Sequence, residues 1–92
     1  VALDKGDEQM VYDKVRELLA SQFEMDIDKI DRGTDIVDDL GADSLDLVEM
    51  IMMLEEEFGI VITDESVYNY KTVGEITDFI ESTLDKHAEA NN

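Results

Sequence analysis

From Ser44 to Phe58 the residues Leu47, Met50, Ile51, Leu54 and Phe58 recur at i, i+3, i+4, i+7 and i+11, and Gly59 follows as a stop. This spacing lines one face of an α-helix and fits no strand. The chain has no Pro and five Gly, so few breakers interrupt such a period once it starts. Asp43 or Ser44 suits the N-cap, because a short side-chain oxygen can accept from the unpaired amides of the first turn.

Two further amphipathic stretches flank this one. Over roughly Glu8 to Gln22, Val11, Val15, Leu18 and Leu19 keep helical spacing, with Asp7 or a neighbour as the expected cap. Near the other end, Thr72-Val73-Gly74-Glu75 fits the S/T-x-x-E capping box, and Val73, Ile76, Phe79, Ile80 and Leu84 continue one face to about Leu84. Between the first two helices, Phe23 to Ala42 shows no period but carries Phe23, Ile27, Ile30, Ile36, Val37 and Leu40, which reads as a long loop pinned to the core with room for a short helical turn. Ile60-Val61-Ile62 is strand-like by propensity, yet it is short and has no partner, so it reads as a buried connector. Thr63 can cap a short helix over about Asp64 to Asn69. The expected fold is all-α: a small four-helix bundle of three longer helices and one short one, with a long loop between the first two.

Ninety-two residues, 43% of them hydrophobic, suffice for one modest core and not for an enclosed multi-layer active site. One domain over residues 1–92 is expected, with its core at about 8–84 and a frayed tail from 85 to 92. The start Val1-Ala2-Leu3-Asp4-Lys5 lacks the regions of a signal peptide, and the absence of an initiator Met points to a trimmed N-terminus. No apolar run approaches a membrane span. With no Cys there is no disulfide, thiolate metal site or cysteine nucleophile.

Charge excludes more. Twenty-five acidic and seven basic residues give a net charge of −18, which opposes nucleic-acid backbones and anionic lipid surfaces. Between Gly33 and Tyr70 there are eleven Asp or Glu and no Lys or Arg. Such a segment serves solubility, and it also steers encounter with partners that present Lys and Arg.

The central helix carries a second apolar stripe. At about 100° per residue, Leu45, Val48 and Met52 group together, more than a quarter-turn from the core face, with Glu49 and Glu56 bordering one side and Glu55 the other. A small chain has little mass left to cover this stripe, so an exposed recognition face is expected. The alternative is that Leu45 and Val48 pack beneath the long loop.

The run Asp39-Leu40-Gly41-Ala42-Asp43-Ser44-Leu45-Asp46, followed by Leu47-Val48-Glu49-Met50 and Glu55-Glu56-Glu57-Phe58, resembles the acyl carrier protein family. Asp-Ser-Leu alone is a common tripeptide; its context, with helices closing the chain from Thr63 and Thr72, extends the resemblance over nearly all of Glu8 to Leu84. The resemblance implies that Ser44 receives a covalent 4′-phosphopantetheine from coenzyme A through a phosphopantetheinyl transferase. It also implies that acyl chains ride on the arm as thioesters between the enzymes of fatty acid biosynthesis. The chain itself would be no enzyme. Asp43, Leu45, Asp46, Val48, Glu49, Met52, Glu55 and Glu56 match the family's partner-facing positions, which implies partners with basic docking patches. The stand-alone fatty acid carriers are the best match, which implies a monomer in bacterial cytoplasm, or in an organelle if a transit peptide has been removed. Met50, Met53, Ile51, Ile62 and Phe58 supply an apolar interior in which family members can shelter an acyl chain. Thr63, where many relatives have Pro, and the bulky Tyr68 and Tyr70 depart from the family pattern.

Rival chemistries fit less well. A serine hydrolase needs a base beside Ser44, but the one imidazole is His87, close to the terminus, and no Gly-x-Ser-x-Gly turn exists. Asp26-Ile27-Asp28 opens like a calcium loop, yet Ile30, Asp31 and Val37 stand where a ligand, the turn Gly and the closing Glu belong; no metal site is expected. An adaptor that binds basic proteins without modification stays open. Whichever holds, self-repulsion among the acids should make stability rise with added salt. A melting temperature indifferent to sodium chloride or magnesium would contradict this.

Overall fold

Each of the three long apolar periods folds as an α-helix. The computed structural model describes the backbone of residues 5–63 and 65–90, and the side chains of residues 10–63 and 65–85. Its helices are α1 (Lys5–Gln22), α2 (Ser44–Phe58) and α3 (Val73–Ala90), with short 3-10 helices at Ile27–Lys29 and Glu65–Asn69. The chain is thus a small helical bundle without strands among the described residues. The short helix of the expected four is a 3-10 helix and not an α-helix. Asp64, its expected first residue, lies outside the described residues, as does the side chain of Asp7, the expected cap of α1. That helix starts at Lys5, ahead of Glu8.

The inner faces are those set by the periods. Val11, Val15 and Leu19 of α1, Met50, Ile51 and Leu54 of α2, and Val73, Ile76 and Ile80 of α3 are buried in one cluster. α3 departs from expectation at its end: the tail expected to fray from residue 85 is helical to Ala90. Lys86, Ala88, Glu89 and Ala90 are good helix formers with no Gly or Pro to stop them.

The long loop is held at both edges. Ile30 and Ile36 are fully buried in the same core, whereas Val37, expected as an anchor, is exposed. Against α3, the Ile36 amide donates to the Lys71 carbonyl at 2.7 Å, the Val73 amide to the Thr34 carbonyl at 3.0 Å and the Gly74 amide to the Arg32 carbonyl at 2.9 Å, around an isolated antiparallel bridge between Asp35 and Thr72. A Cβ at residue 74 would lie 3.0 Å from the Arg32 carbonyl oxygen, so this approach needs glycine. Against α1, Arg16 donates from Nε to the Ile30 carbonyl at 2.8 Å and from Nη2 to the Ile27 carbonyl at 2.9 Å. The fixed fork of a guanidinium suits two carbonyls of one turn.

The loop's acids act as turn formers. Asp26 accepts from the Asp28 amide, Asp31 from the Gly33 amide, and Asp35 from the amides of Val37 and Asp38, while Asp39 accepts from the Asp35 amide. These short-range turns supply backbone partners that neither helix nor sheet provides here. The capping box of α3 forms as expected: Thr72 Oγ1 accepts the Glu75 amide, and Glu75 accepts from the amides of Lys71 and Thr72. Those amide bonds hold the Glu75 carboxyl below its usual range.

The ends of α1 and α2 share a geometry but not a residue type. In α2 the Ile60 amide reaches the Glu55 carbonyl at 3.1 Å around Gly59, whose φ is 63°. In α1 the Met25 amide reaches the Ala20 carbonyl at 3.0 Å around Glu24, whose φ is 53°. The left-handed position costs a side-chain-bearing residue about 1 kcal/mol that Gly avoids. Glu24→Gly should therefore raise stability by about 0.5–1 kcal/mol, part of the gain being returned through the freer unfolded chain. The check is a urea midpoint shift at constant m-value. Glu24→Gln, which removes the charge but keeps the Cβ, should gain less; an equal gain would assign the cost to charge instead.

Candidate functional site

Asp43 fixes where α2 begins. On extended backbone (φ −100°, ψ −174°), its Oδ1 accepts the Asp46 amide at 2.9 Å, and Asp46 Oδ2 accepts the Asp43 amide in return at 3.1 Å. The pair is a capping box built from two aspartates. Of the two candidate caps, the structure uses Asp43. The Ser44 hydroxyl is therefore not needed as a cap, and it stands exposed at the first helical residue.

The surroundings hold this turn without covering it. Gln22, at the end of α1, donates from Nε2 to the Asp46 carbonyl at 2.9 Å and so ties the two helices where α2 starts. On the loop side Ala42 is buried, while Gly41 is exposed and a Cβ built there would meet nothing within 4 Å. Asp43 occupies the Asp46 amide with its side chain and the Leu47 amide with its carbonyl. The amides of Ser44 and Leu45 remain at the open end of the helix, where backbone donors and the helix dipole favour an anion. A phosphate ester on the Ser44 oxygen fits this position sterically and electrostatically, against the like charge of Asp43.

The second stripe faces solvent. Leu45 is 64% exposed, Val48 40% and Met52 57%, so packing beneath the loop is not what covers them. Glu49 and Glu56 are exposed, and neither is tied down among the described residues. The remaining acids are committed: Asp43 and Asp46 to the cap, and Glu55 to the Ile62 amide, which its Oε2 accepts at 2.8 Å. Glu57, beyond the stripe, pairs with Lys14 of α1 at 3.1 Å, and this hydrogen bond, with the nearby carboxylate charge, holds the ammonium above its usual range. The pair is solvent-exposed and adds little stability. Of the expected docking residues, Leu45, Val48, Glu49, Met52, Glu55 and Glu56 fall on one side of α2, with Asp46 further round and Asp43 at the cap, and only some of these acids are unengaged.

Sequence reasoning missed Gln22 and the engagement of Glu55. Asp43-x-x-Asp46 was readable as a variant capping box. A carboxylate meeting an amide seven residues later has no local pattern, and neither does a glutamine meeting a helix 24 residues on. Met50 and Ile51 are buried in the core cluster and Phe58 and Ile62 are half-buried against it, whereas Met53 is half-buried outside that cluster. His87 lies in the last turn of α3, its side chain outside the described residues. Asp26, which opens the calcium-like run, accepts the Asp28 amide in a turn, and among the described residues no three acids or imidazoles converge as a metal site.

Residues 13–80 match the family model described as a phosphopantetheine attachment site. The chain is 44% identical over 75 residues to the acyl carrier protein of Lactobacillus acidophilus, an alignment covering 82% of this chain and 94% of that one. To the acyl carrier protein of Clostridium perfringens it is 42% identical over 76 residues, covering 83% of this chain and all of the relative. Its fold is similar to that of the acyl carrier protein from Enterococcus faecalis, with a TM-score of 0.71 at 36% identity, over 83% of this chain and 96% of that one.

The capping role of Asp43 is separable from its charge. Asp43→Ala should cost about 1 kcal/mol, and Asp43→Asn, which keeps an acceptor oxygen, no more than a few tenths. Chemical denaturation of both variants checks this, since equal losses would make charge, not capping, the reason for the residue.

Proposed function

The chain belongs to the acyl carrier protein family, and on that premise we propose that it carries acyl groups on a 4′-phosphopantetheine arm joined to Ser44. The observation behind this reading is an exposed hydroxyl at the first residue of a capped helix, beside an exposed apolar stripe. When attached, the arm supplies a terminal thiol on which acyl groups are held as thioesters, a group that this Cys-free chain does not have.

The chain's own residues position and present. Asp43 and Asp46 set the start of α2, and Gln22 holds that turn against α1, so Ser44 sits on a rigid element rather than a mobile loop. The helix terminus favours the ester's negative charge. A phosphopantetheinyl transferase would reach the Ser44 oxygen from the open side, and the same face would then dock the enzymes of fatty acid biosynthesis. Leu45, Val48 and Met52 would form the apolar centre, with Asp43, Asp46, Glu49 and Glu56 facing cations on the partner's rim. Tethering raises the concentration of the acyl group at whichever active site is docked. The chain would act as one acyl carrier domain, a monomer and not an enzyme. The bacterial relatives favour bacterial cytoplasm.

The test is direct. Incubation with coenzyme A and a phosphopantetheinyl transferase should add one arm to the intact mass of the wild type and none to Ser44→Ala. No increment on the wild type would sink the carrier reading in favour of an unmodified adaptor. An increment that survives Ser44→Ala would move the site elsewhere.

A further inference from the structure

The acid at the far end of the stripe is placed unlike its neighbours. Glu55 Oε2 accepts the Ile62 amide at 2.8 Å, and the Glu55 carbonyl accepts the amides of Gly59 and Ile60. Three amides of the connector after α2 therefore end on one residue. With the backbone so fixed, Ile60 is buried, Ile62 half-buried, and Val61 between them points out at 69% exposure, above every other large hydrophobic among the described residues. Met52 precedes Glu55 by three residues, which on a helix places them as neighbours one turn apart. The exposed apolar series Leu45, Val48 and Met52 thus leads, through Glu55 and its hydrogen bond, to Val61.

We propose that Val61, held outward by Glu55, is a further partner contact. At this end of α2 the docking face is then read by an apolar side chain of a basic-rimmed protein, and not by a cation on Glu55. This rests on the docking face proposed above. Charge complementarity names the occupant: exposed Asp43, Glu49 and Glu56 call for Lys or Arg around an apolar centre. A cation on Glu55 would share a carboxylate already accepting the Ile62 amide and so gain less than on an unengaged acid, whereas a side chain covering Val61 displaces only water from apolar surface. Glu55 is accordingly a positioning residue, and Val61 the contact.

The experiment is steady-state transfer of phosphopantetheine from coenzyme A to the full chain by a phosphopantetheinyl transferase, at low and high salt. Val61→Ser should raise KM about fivefold, as expected for losing one partly covered valine, with kcat and melting temperature unchanged and the same ratio at both salts. Glu55→Ala should match it, the double variant should be no worse than either single one, and Glu55→Gln, which keeps an acceptor for the Ile62 amide, should restore KM. By contrast, Glu49→Gln should raise KM in a way that fades with salt. An unchanged KM in Val61→Ser, or a salt-sensitive defect in Glu55→Gln equal to that of Glu49→Gln, overturns the inference. If Leu45→Ser and Glu49→Gln are also silent, the docking face itself has failed; if those two act and Val61→Ser does not, only the inference has.

Discussion

Twenty-five carboxylates among seven Lys and Arg cannot be neutralised by ion pairing within the chain, and a domain of this size has no interior in which to hide them. The fold instead uses many of them as hydrogen-bond acceptors for its own backbone. Asp26, Asp31, Asp35 and Asp39 build the turns of the long loop, Asp43 and Asp46 cap α2, Glu55 holds the connector, and Glu75 caps α3. An ionised acceptor makes a stronger bond to an amide than a neutral one, and bonds of this kind are shorter in range than the repulsion they offset. Charge that looks like a uniform solvated surface in the sequence is therefore two populations, one spent inside the fold and one left for encounter.

This division shapes the site. Long loops leave backbone donors unpaired, and the role proposed for Ser44 needs the first residue of α2 placed to within a turn. The loop's aspartates satisfy those donors locally, while Ile30 and Ile36 anchor it in the core and the pairing at Asp35 and Thr72 anchors it to α3. Arg16 then fastens the turn at Ile27–Lys29 to α1 with one guanidinium. The position of Ser44 thus depends on all three helices, although only one carries it.

What could be read from the sequence follows the range of the interactions involved. The periods of Val11, Val15 and Leu19, of Met50, Ile51 and Leu54, and of Ile76 and Ile80 are repeated many times, so the helices and their buried faces were legible. So were the Thr72 to Glu75 box and the stop at Gly59, which are local chemistry. Glu24 in the left-handed region was not legible, because the residue type argues against it and the core contacts of α1 override that preference. Nor was the end of α3, since apolar periodicity stops at Leu84 while good helix formers carry the backbone on. Contacts such as Gln22 to Asp46 and Glu55 to Ile62 depend on where two elements come to rest, which no local pattern encodes.

The proposed docking face is where this distinction matters most. Read as sequence, the acids along α2 and its N-terminal turn, Asp43, Asp46, Glu49, Glu55 and Glu56, are interchangeable rim charges. In the fold, Asp43 and Asp46 are hydrogen-bonded to each other's amides and Glu55 to the connector, so a partner's cation approaching any of these meets a carboxylate already satisfied by a backbone donor. It can share the remaining lone pairs without displacing that bond, but it gains less than from an unengaged acid. Glu49 and Glu56 carry no such commitment among the described residues and border one side of the apolar stripe. On the proposed docking face, electrostatic steering would then belong to the field of the whole segment, whereas the specific pairs that orient a partner would concentrate at these two residues.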